Sequence, residues 1–257
     1  MTSAKDNAST LLEEQLNMGS VAGAIYLITE EGVHIETKNT EGQTALSIAA
    51  VAGDQRTVTA LLKAGADIET KDNNGETPLI RACRARKWGM MHLLMQNGAD
   101  VNAKDKSFGT ALLYTVHNKN KDMVKNLIAR NAEINTYTSV MASPLITSIN
   151  RHNFEIAEIL VEAGADIEQP NSLSMRPLAC AVKMLQENIA KMLIEKGANI
   201  NAVDECGYTP LGYTDTPPDM KARLWQHYIQ HNFLTADKKG TPKKRKIIRP
   251  RTPDRGP

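Results

Sequence analysis

The 257-residue chain is 41% hydrophobic but only 4% aromatic, and it contains three cysteines. Three cysteines cannot all pair with one another, which argues against a disulfide framework, and no apolar run is long enough to span a bilayer. The first residues, MTSAKDNAST, lack the basic and apolar regions of a secretory signal, so we expect a cytoplasmic protein.

Charge divides the chain near its C-terminus. Residues 238–257 contain nine Lys and Arg against one Asp, a net of +8, whereas the remaining residues contain 22 basic and 28 acidic side chains, a net of −6. The C-terminal segment is also rich in Pro and poor in residues that could pack. We therefore expect a disordered basic tail at 238–257.

The chain begins with two helical patterns. Residues 8–18 place Leu11, Leu12 and Leu16 on one side, and residues 21–30 form a second, apolar pattern that ends at Gly32. The first pattern carries charge, as expected for a terminal unit with one face in water. We assign residues 1–38 to an N-terminal capping repeat.

A stretch at residues 74–105 then defines the unit of the fold. Thr77 is a hydroxyl N-cap followed by Pro78 at the first helical position, which predicts a short helix. A second helix is predicted from Trp88 to Gln96, ended by Gly98 in a left-handed conformation and followed by an extended segment. Such a helix pair needs neighbours to bury its apolar face.

This stretch recurs without insertions or deletions. Leu61, Leu94, Leu127, Leu160 and Leu193 of the second helices are each 33 residues apart. The residues before each first helix keep the same interval; they are Thr44, Thr77, Thr110, Ser143, Arg176 and Thr209. A fixed register of this length is the signature of a repeat protein.

The segments GETPLIRAC and NGADVNAKD resemble the helix start and helix exit of the ankyrin repeat family. The resemblance implies an all-α ankyrin-repeat solenoid with short β-hairpin loops, in which five regular repeats at 39–204 lie between capping repeats at 1–38 and 205–237. It also implies a non-enzymatic module that binds a folded protein partner through hairpin tips and a concave helix face. We expect a monomer with no cofactor and no small-molecule substrate.

Three consecutive loop tips differ from the others. Phe108, Met141 and Ser174 stand where Gly42, Gly75 and Gly207 occur. The tips are also unusually apolar, which predicts a ridge that binds the partner; the alternative is that these side chains pack against one another. The predicted contacts are Phe108, Tyr137, Val140, Met141, Leu173 and Met175 at the tips, with His117, Asn118, Asn150, Arg151, Lys183 and Met184 at the first-helix ends.

The basic tail contains a run that resembles a nuclear import signal. The run is Lys243, Lys244, Arg245 and Lys246, and it predicts binding to an importin and entry into the nucleus. Three alternatives stay open: a solvated tail that only aids solubility, a tail that tethers the chain to nucleic acid or acidic lipid, and a secretion signal of a bacterial effector that acts on a protein in the host cell.

Sites for chemistry are few. No phosphate-binding loop or zinc-protease motif occurs, and His227 and His231, four apart, have no accompanying ligands, so no metal site and no catalytic residue is predicted. Asn102, Asn135 and Asn201 fit the pattern of asparaginyl hydroxylation sites in the ankyrin family. The competing interpretation, which we favour, is that each amide holds the adjoining loop.

Overall fold

A computed structural model of the chain describes residues 11, 14–15, 18, 20–29, 34–137 and 142–231. The chain divides into two compact units, Met1–Glu133 and Ile134–Pro257. None of the described helices is both long and apolar enough to cross a membrane.

The first helices begin where the hydroxyl residues predict. Thr44, Thr77, Thr110 and Ser143 have extended backbones, and each side-chain oxygen accepts a hydrogen bond from the backbone N–H three residues later. This bond satisfies one of the amides that a helix start leaves without a partner. The predicted cap at Thr77 and the predicted helix Trp88–Gln96 are both confirmed.

Unit 1 consists of stacked helix pairs. The first helices pack on one another along the unit, and each also packs on the second helix of its own pair. The first helices are almost wholly buried, as Leu79, Ile80 and Cys83 show with exposed fractions of at most 1%. The helices are α1 (Val21–Thr29), α2 (Ala45–Ala52), α3 (Gln55–Lys63), α4 (Pro78–Arg84), α5 (Trp88–Gln96), α6 (Ala111–His117) and α7 (Lys121–Ala129).

Unit 2 repeats this arrangement and then departs from it. After Thr209 the first helix is reduced to a three-residue 3-10 helix, Pro210–Gly212, as the Gly and Pro residues there predict. The final helix starts at Pro218, where proline suits the first helical position. The α-helices are α8 (Pro144–Asn150), α9 (Phe154–Glu162), α10 (Pro177–Lys183), α11 (Glu187–Glu195) and α12 (Pro218–Ile229).

The predicted extended exits and hairpin strands are not present as strands in the described part of the chain. The loops are closed by local side-chain hydrogen bonds together with a few backbone bonds, such as Lys106 N–H to the Asn74 carbonyl of the preceding loop at 3.0 Å. Asp100 Oδ1, for example, accepts the N–H of Asn102 at 2.8 Å, and Asp72 Oδ1 accepts those of Asn74 and Glu76 at 2.8 and 2.9 Å. Asp and Asn favour such turns over a regular ladder, so the loops are built from turns.

Side chains also link each loop to the next repeat in the same unit. Glu36 Oε1 accepts the N–H of Asp67, 31 residues later, at 2.8 Å, and Glu69 Oε1 accepts that of Asp100 at 2.8 Å. In unit 2, Glu168 Oε1 accepts the N–H of Asn199 at 2.7 Å. These bonds recur with the repeat and fix the spacing of neighbouring loops.

Candidate functional site

Exposed apolar side chains lie at two described loop tips: Phe108 in unit 1 is 57% exposed and Leu173 in unit 2 is 46% exposed. Tyr137 in unit 2 is 51% exposed, but the tip that follows it, residues 138–141, lies outside the described residues. Phe108 takes the left-handed conformation, with a φ of 61°, which Gly75 takes in the preceding tip with a φ of 76°. A left-handed backbone is unfavourable for a bulky residue, so this tip keeps an aromatic ring outward against a local cost.

The loops hold these side chains firmly. Asp105 Oδ1 accepts the N–H groups of Ser107 and Gly109 at 2.7 and 2.8 Å, and the N–H of Phe108 donates to the Asp105 carbonyl at 3.0 Å. In unit 2, Asn171 Oδ1 accepts the N–H of Leu173 at 2.9 Å. Each tip is therefore positioned by the residue that opens its loop.

The prediction that Met175 projects from a tip is wrong. Its side chain is only 5% exposed, and its N–H donates to Asn171 Oδ1 at 3.0 Å while its carbonyl accepts the N–H of Asn171. The closed loop turns residue 175 inward, next to the buried start of α10. Val140 and Met141 lie outside the described residues.

The first-helix ends differ in accessibility. His117, Asn150, Lys183 and Met184 are exposed, whereas Asn118 and Arg151 are half-buried. Asn118 has a structural role, because its Nδ2 donates to the Cys83 carbonyl at 3.1 Å and its Oδ1 accepts from Arg86 Nε at 3.2 Å.

In unit 1 a loop aspartate, a tyrosine and a cation of the first helices form a cluster that the sequence patterns above do not predict. Tyr114 Oη donates to Asp105 Oδ2 at 2.5 Å. The guanidinium of Arg84 lies 5.6 Å from the centre of the Tyr114 ring and also forms an ion pair with Glu76. Gly109 leaves room for the ring, since a Cβ there would lie 2.6 Å from Tyr114 Oη.

Unit 2 contains a second cluster of the same kind. Tyr213 Oη donates to Asp204 Oδ2 at 2.8 Å, and Lys183 Nζ lies 5.8 Å from the Tyr213 ring centre. In both clusters the Tyr follows its Asp by nine residues. That spacing is the signal from which the clusters could have been predicted.

The clusters change the pKa values of the side chains that form them. Burial first, and then the hydrogen bond to the aspartate, raise the pKa of Tyr114 and of Tyr213 above the ordinary value of 10.0. Burial opposes ionisation of Asp204, but hydrogen bonds from Tyr213 Oη and two loop N–H groups prevail and lower the pKa of this carboxyl. Both phenols are therefore neutral hydrogen-bond donors at physiological pH.

The two buried thiols, Cys83 and Cys180, offer little reactivity. Burial raises the pKa of Cys83 and of Cys180 to about 12, which keeps both protonated. Cys206 is exposed at a loop tip. Within the described residues, no group of three His, Cys, Asp or Glu side chains is placed to hold a metal ion.

Two of the three hydroxylation candidates hold neighbouring loops. Asn102 Oδ1 accepts the N–H of Glu133 at 2.7 Å, and Asn135 Oδ1 accepts that of Asp166 at 2.8 Å, the same role that Glu36 and Glu69 have. Asn201 is half-buried and donates its N–H to Asn199 Oδ1 at 3.0 Å. The basic run at 243–246 lies outside the described residues.

Comparison with known proteins identifies the class of protein. The sequence profile of the family described as ankyrin repeats (3 copies) matches residues 12–105 and 112–204, which together make up more than half of the chain. The chain belongs to the ankyrin repeat family. Ankyrin repeat domains are general protein–protein interaction modules.

Solved structures show the same fold. The crystal structure of the ankyrin repeat domain of Bcl-3, a member of the IκB protein family, has a TM-score of 0.71 and 22% identity, covering 84% of this chain and 97% of that chain. The human ASB11 ankyrin repeat domain has a TM-score of 0.67 and 21% identity, covering 84% of this chain and 96% of that chain. No curated protein sequence matches.

Proposed function

We propose that the chain binds a folded protein partner through its exposed apolar tips and the adjacent ends of its first helices, without a catalytic step. The observation that carries the proposal is Phe108, an aromatic side chain that is 57% exposed on a left-handed backbone. Neither its exposure nor its conformation stabilises the isolated chain. A binding role explains both.

The tip is suited to anchor a partner. Asp105 fixes the loop backbone on both sides of Phe108, so little conformational freedom is lost there when a partner binds. Large aromatic side chains of this kind contribute a disproportionate share of interface energy. Leu173, held by Asn171, presents an apolar contact of the same type in unit 2.

Replacing Phe108 by Gly separates binding from stability. Phe108→Gly removes the ring but suits the left-handed backbone, so we expect partner capture from a cell lysate to be lost while the free energy of unfolding rises by about 1 kcal/mol. Leu173→Ser should reduce capture in the same assay.

The matched control is Tyr26→Ser, because Tyr26 is an exposed aromatic residue (58%) in helix α1 and belongs neither to the tips nor to the predicted contacts at the first-helix ends. We expect this variant to retain capture. Undiminished capture by Phe108→Gly would contradict the proposal. Capture that survives this change but is lost as salt is raised would instead favour the tail-driven tether.

A further inference from the structure

The turns between first and second helices in unit 1 carry cations without a carboxylate partner. Arg86 and Lys87 lie between α4 and α5, Lys119 lies between α6 and α7, and all three side chains are exposed. In the part of the chain that the structure describes, they take part in none of the ion pairs. These three residues are called the basic turn strip.

The turns that make up the strip lie side by side. Arg86 Nε donates to Asn118 Oδ1 at 3.2 Å, and Asn118 Nδ2 donates back to the Cys83 carbonyl at 3.1 Å. On the other side, Lys87 Nζ lies 3.7 Å from the position that a Cβ on Gly53 would take. The cations therefore form one patch across neighbouring repeats.

The backbone shows that two of these cations, Arg86 and Lys119, are placed at a cost. Arg86 and Lys119 have φ angles of 56° and 59°, and the corresponding residue of the preceding turn is Gly53, with a φ of 83°. Glycine suits this conformation and longer residues do not. Unit 2 has His152 and Leu185 at the corresponding positions. The strip is therefore a feature of unit 1 and not of the repeat in general.

We propose that the basic turn strip docks an acidic peptide segment of the protein partner; this inference rests on the proposed function and adds the chemistry of the partner. Stacked helices lie about 10 Å apart, and three residues of extended peptide span about the same distance. A segment with Asp or Glu at every third residue therefore reaches cations on successive turns.

The charges elsewhere in unit 1 favour a short acidic peptide over nucleic acid. The loops that join consecutive repeats expose Asp67, Asp100 and Glu133, and the chain outside residues 238–257 has a net charge of −6. A long phosphate backbone needs an extended cationic path and would be repelled by these carboxylates. The strip lies at the C-terminal ends of the first helices, whereas these loops lead into their N-terminal ends, so a short peptide on the strip does not have to cross them. Beside the strip itself, Asp54 and Asp122 are exposed carboxylates that the peptide has to avoid.

The test uses a short fluorescein-labelled peptide that has Glu at every third position of a Gly-Ser background. Its binding to the full chain is measured by fluorescence anisotropy. The variant Arg86→Gly/Lys119→Gly removes two charges and suits the left-handed backbone, so the fold is retained. We expect its affinity to fall about tenfold and the affinity of the unaltered chain to weaken with salt.

Two control variants locate the effect. Lys63→Gln/Lys125→Gln removes two exposed charges from second helices of the same unit, and affinity should stay within about twofold of the unaltered chain. Neutralising Lys243, Lys244, Arg245 and Lys246 with Gln tests the basic tail. If that change abolishes peptide binding and Arg86→Gly/Lys119→Gly does not, the proposal is overturned.

A labelled oligothymidylate provides the remaining comparison. If it binds more tightly than the peptide and loses affinity in Arg86→Gly/Lys119→Gly, the strip is a nucleic-acid contact and the proposal is wrong. The two proposals fail separately, because peptide binding depends on the strip whereas partner capture is scored with Phe108→Gly. If the peptide does not bind the strip but partner capture still depends on Phe108, only the inference about the acidic segment is overturned.

Discussion

Units 1 and 2 each join a tyrosine to a loop aspartate nine residues earlier, but they support the ring differently. Tyr114 lies within helix α6 and its ring passes over Gly109. Tyr213 follows the 3-10 helix with an extended backbone, φ −62° and ψ 130°. The centre of its ring lies 5.8 Å from the centre of the Tyr208 ring. Tyr208 occupies the position that corresponds to Gly109.

The same hydrogen bond between tyrosine and aspartate is therefore formed by a tyrosine in a helix in unit 1 and by a tyrosine with an extended backbone in unit 2. In unit 1 the hydrogen bond requires the absence of a side chain at residue 109. In unit 2 the shortened first helix changes the approach of Tyr213, and a second aromatic ring fills the space. The two clusters should therefore respond differently to the same type of substitution.

The largest expected effect follows removal of the loop aspartates. Asp105 is 8% exposed and accepts from two loop N–H groups and Tyr114 Oη, so we expect Asp105→Ala to lower the free energy of unfolding by about 3 kcal/mol. Asp204 is half-buried, and Asp204→Ala should cost about half as much. Urea unfolding followed by circular dichroism measures both.

Asparagine provides the matched control for this prediction. The chain itself has Asn39 and Asn171 at corresponding positions, where Oδ1 accepts the same pair of loop amides. Asp105→Asn should therefore be much milder than Asp105→Ala. Equal losses in the two variants would show that the loop bonds contribute little.

A smaller effect is expected from adding a methyl group beneath Tyr114. In Gly109→Ala the Cβ would lie 2.6 Å from Tyr114 Oη and 2.7 Å from Asp105 Oδ2, so the ring must move, at a cost of about 1–2 kcal/mol. Tyr208→Ala, at the corresponding position of unit 2, removes one ring contact and should cost about 1 kcal/mol.

Gly89→Ala is the control for Gly109→Ala. Gly89 lies in helix α5 with no atom within 4 Å of an added Cβ, so this change should stabilise the helix by about 0.5–1 kcal/mol. The contrast in sign between the two Gly→Ala variants tests the close approach of the Tyr114 ring. A stabilising Gly109→Ala would refute that approach.

The smallest effect concerns alkaline pH. Because the folded state raises the pKa of Tyr114 and Tyr213 above 10.0, their contribution is fully present below that pH and is lost as pH rises further. The urea midpoint should fall as pH rises from about 10 to about 11.5, and the double variant Tyr114→Phe/Tyr213→Phe should show a smaller fall over that range. An identical fall in both proteins would rule out these phenols as the source.

Much of the fold follows from local sequence signals. Thr77 and Pro78 mark a helix start because a hydroxyl cap and a proline act through the adjacent backbone alone, and Gly98 marks a helix end for the same reason. The 33-residue register then places the helix pairs in sequence. These features require no knowledge of contacts distant in the chain.

The surface was less predictable, because it depends on loop closure and on contacts between repeats. The pattern at the tips could not distinguish exposed Leu173 from buried Met175, since Asn171 decides how that loop closes. No local signal in the sequence predicts the left-handed backbone of Arg86 either. The only indication is that Arg86 aligns with Gly53 of the preceding repeat. The Asp–Tyr clusters had a usable signal, their nine-residue spacing.

The links between repeats also determine how fast certain amide hydrogens exchange with water. Asp67 and Asp100 in unit 1, and Asp166 and Asn199 in unit 2, belong to exposed loops, yet each N–H donates to a side chain 31 residues earlier. Such a hydrogen exchanges when the neighbouring loops separate, even while both helix pairs stay folded. Exchange at these four amides therefore reports how often one repeat parts from the next.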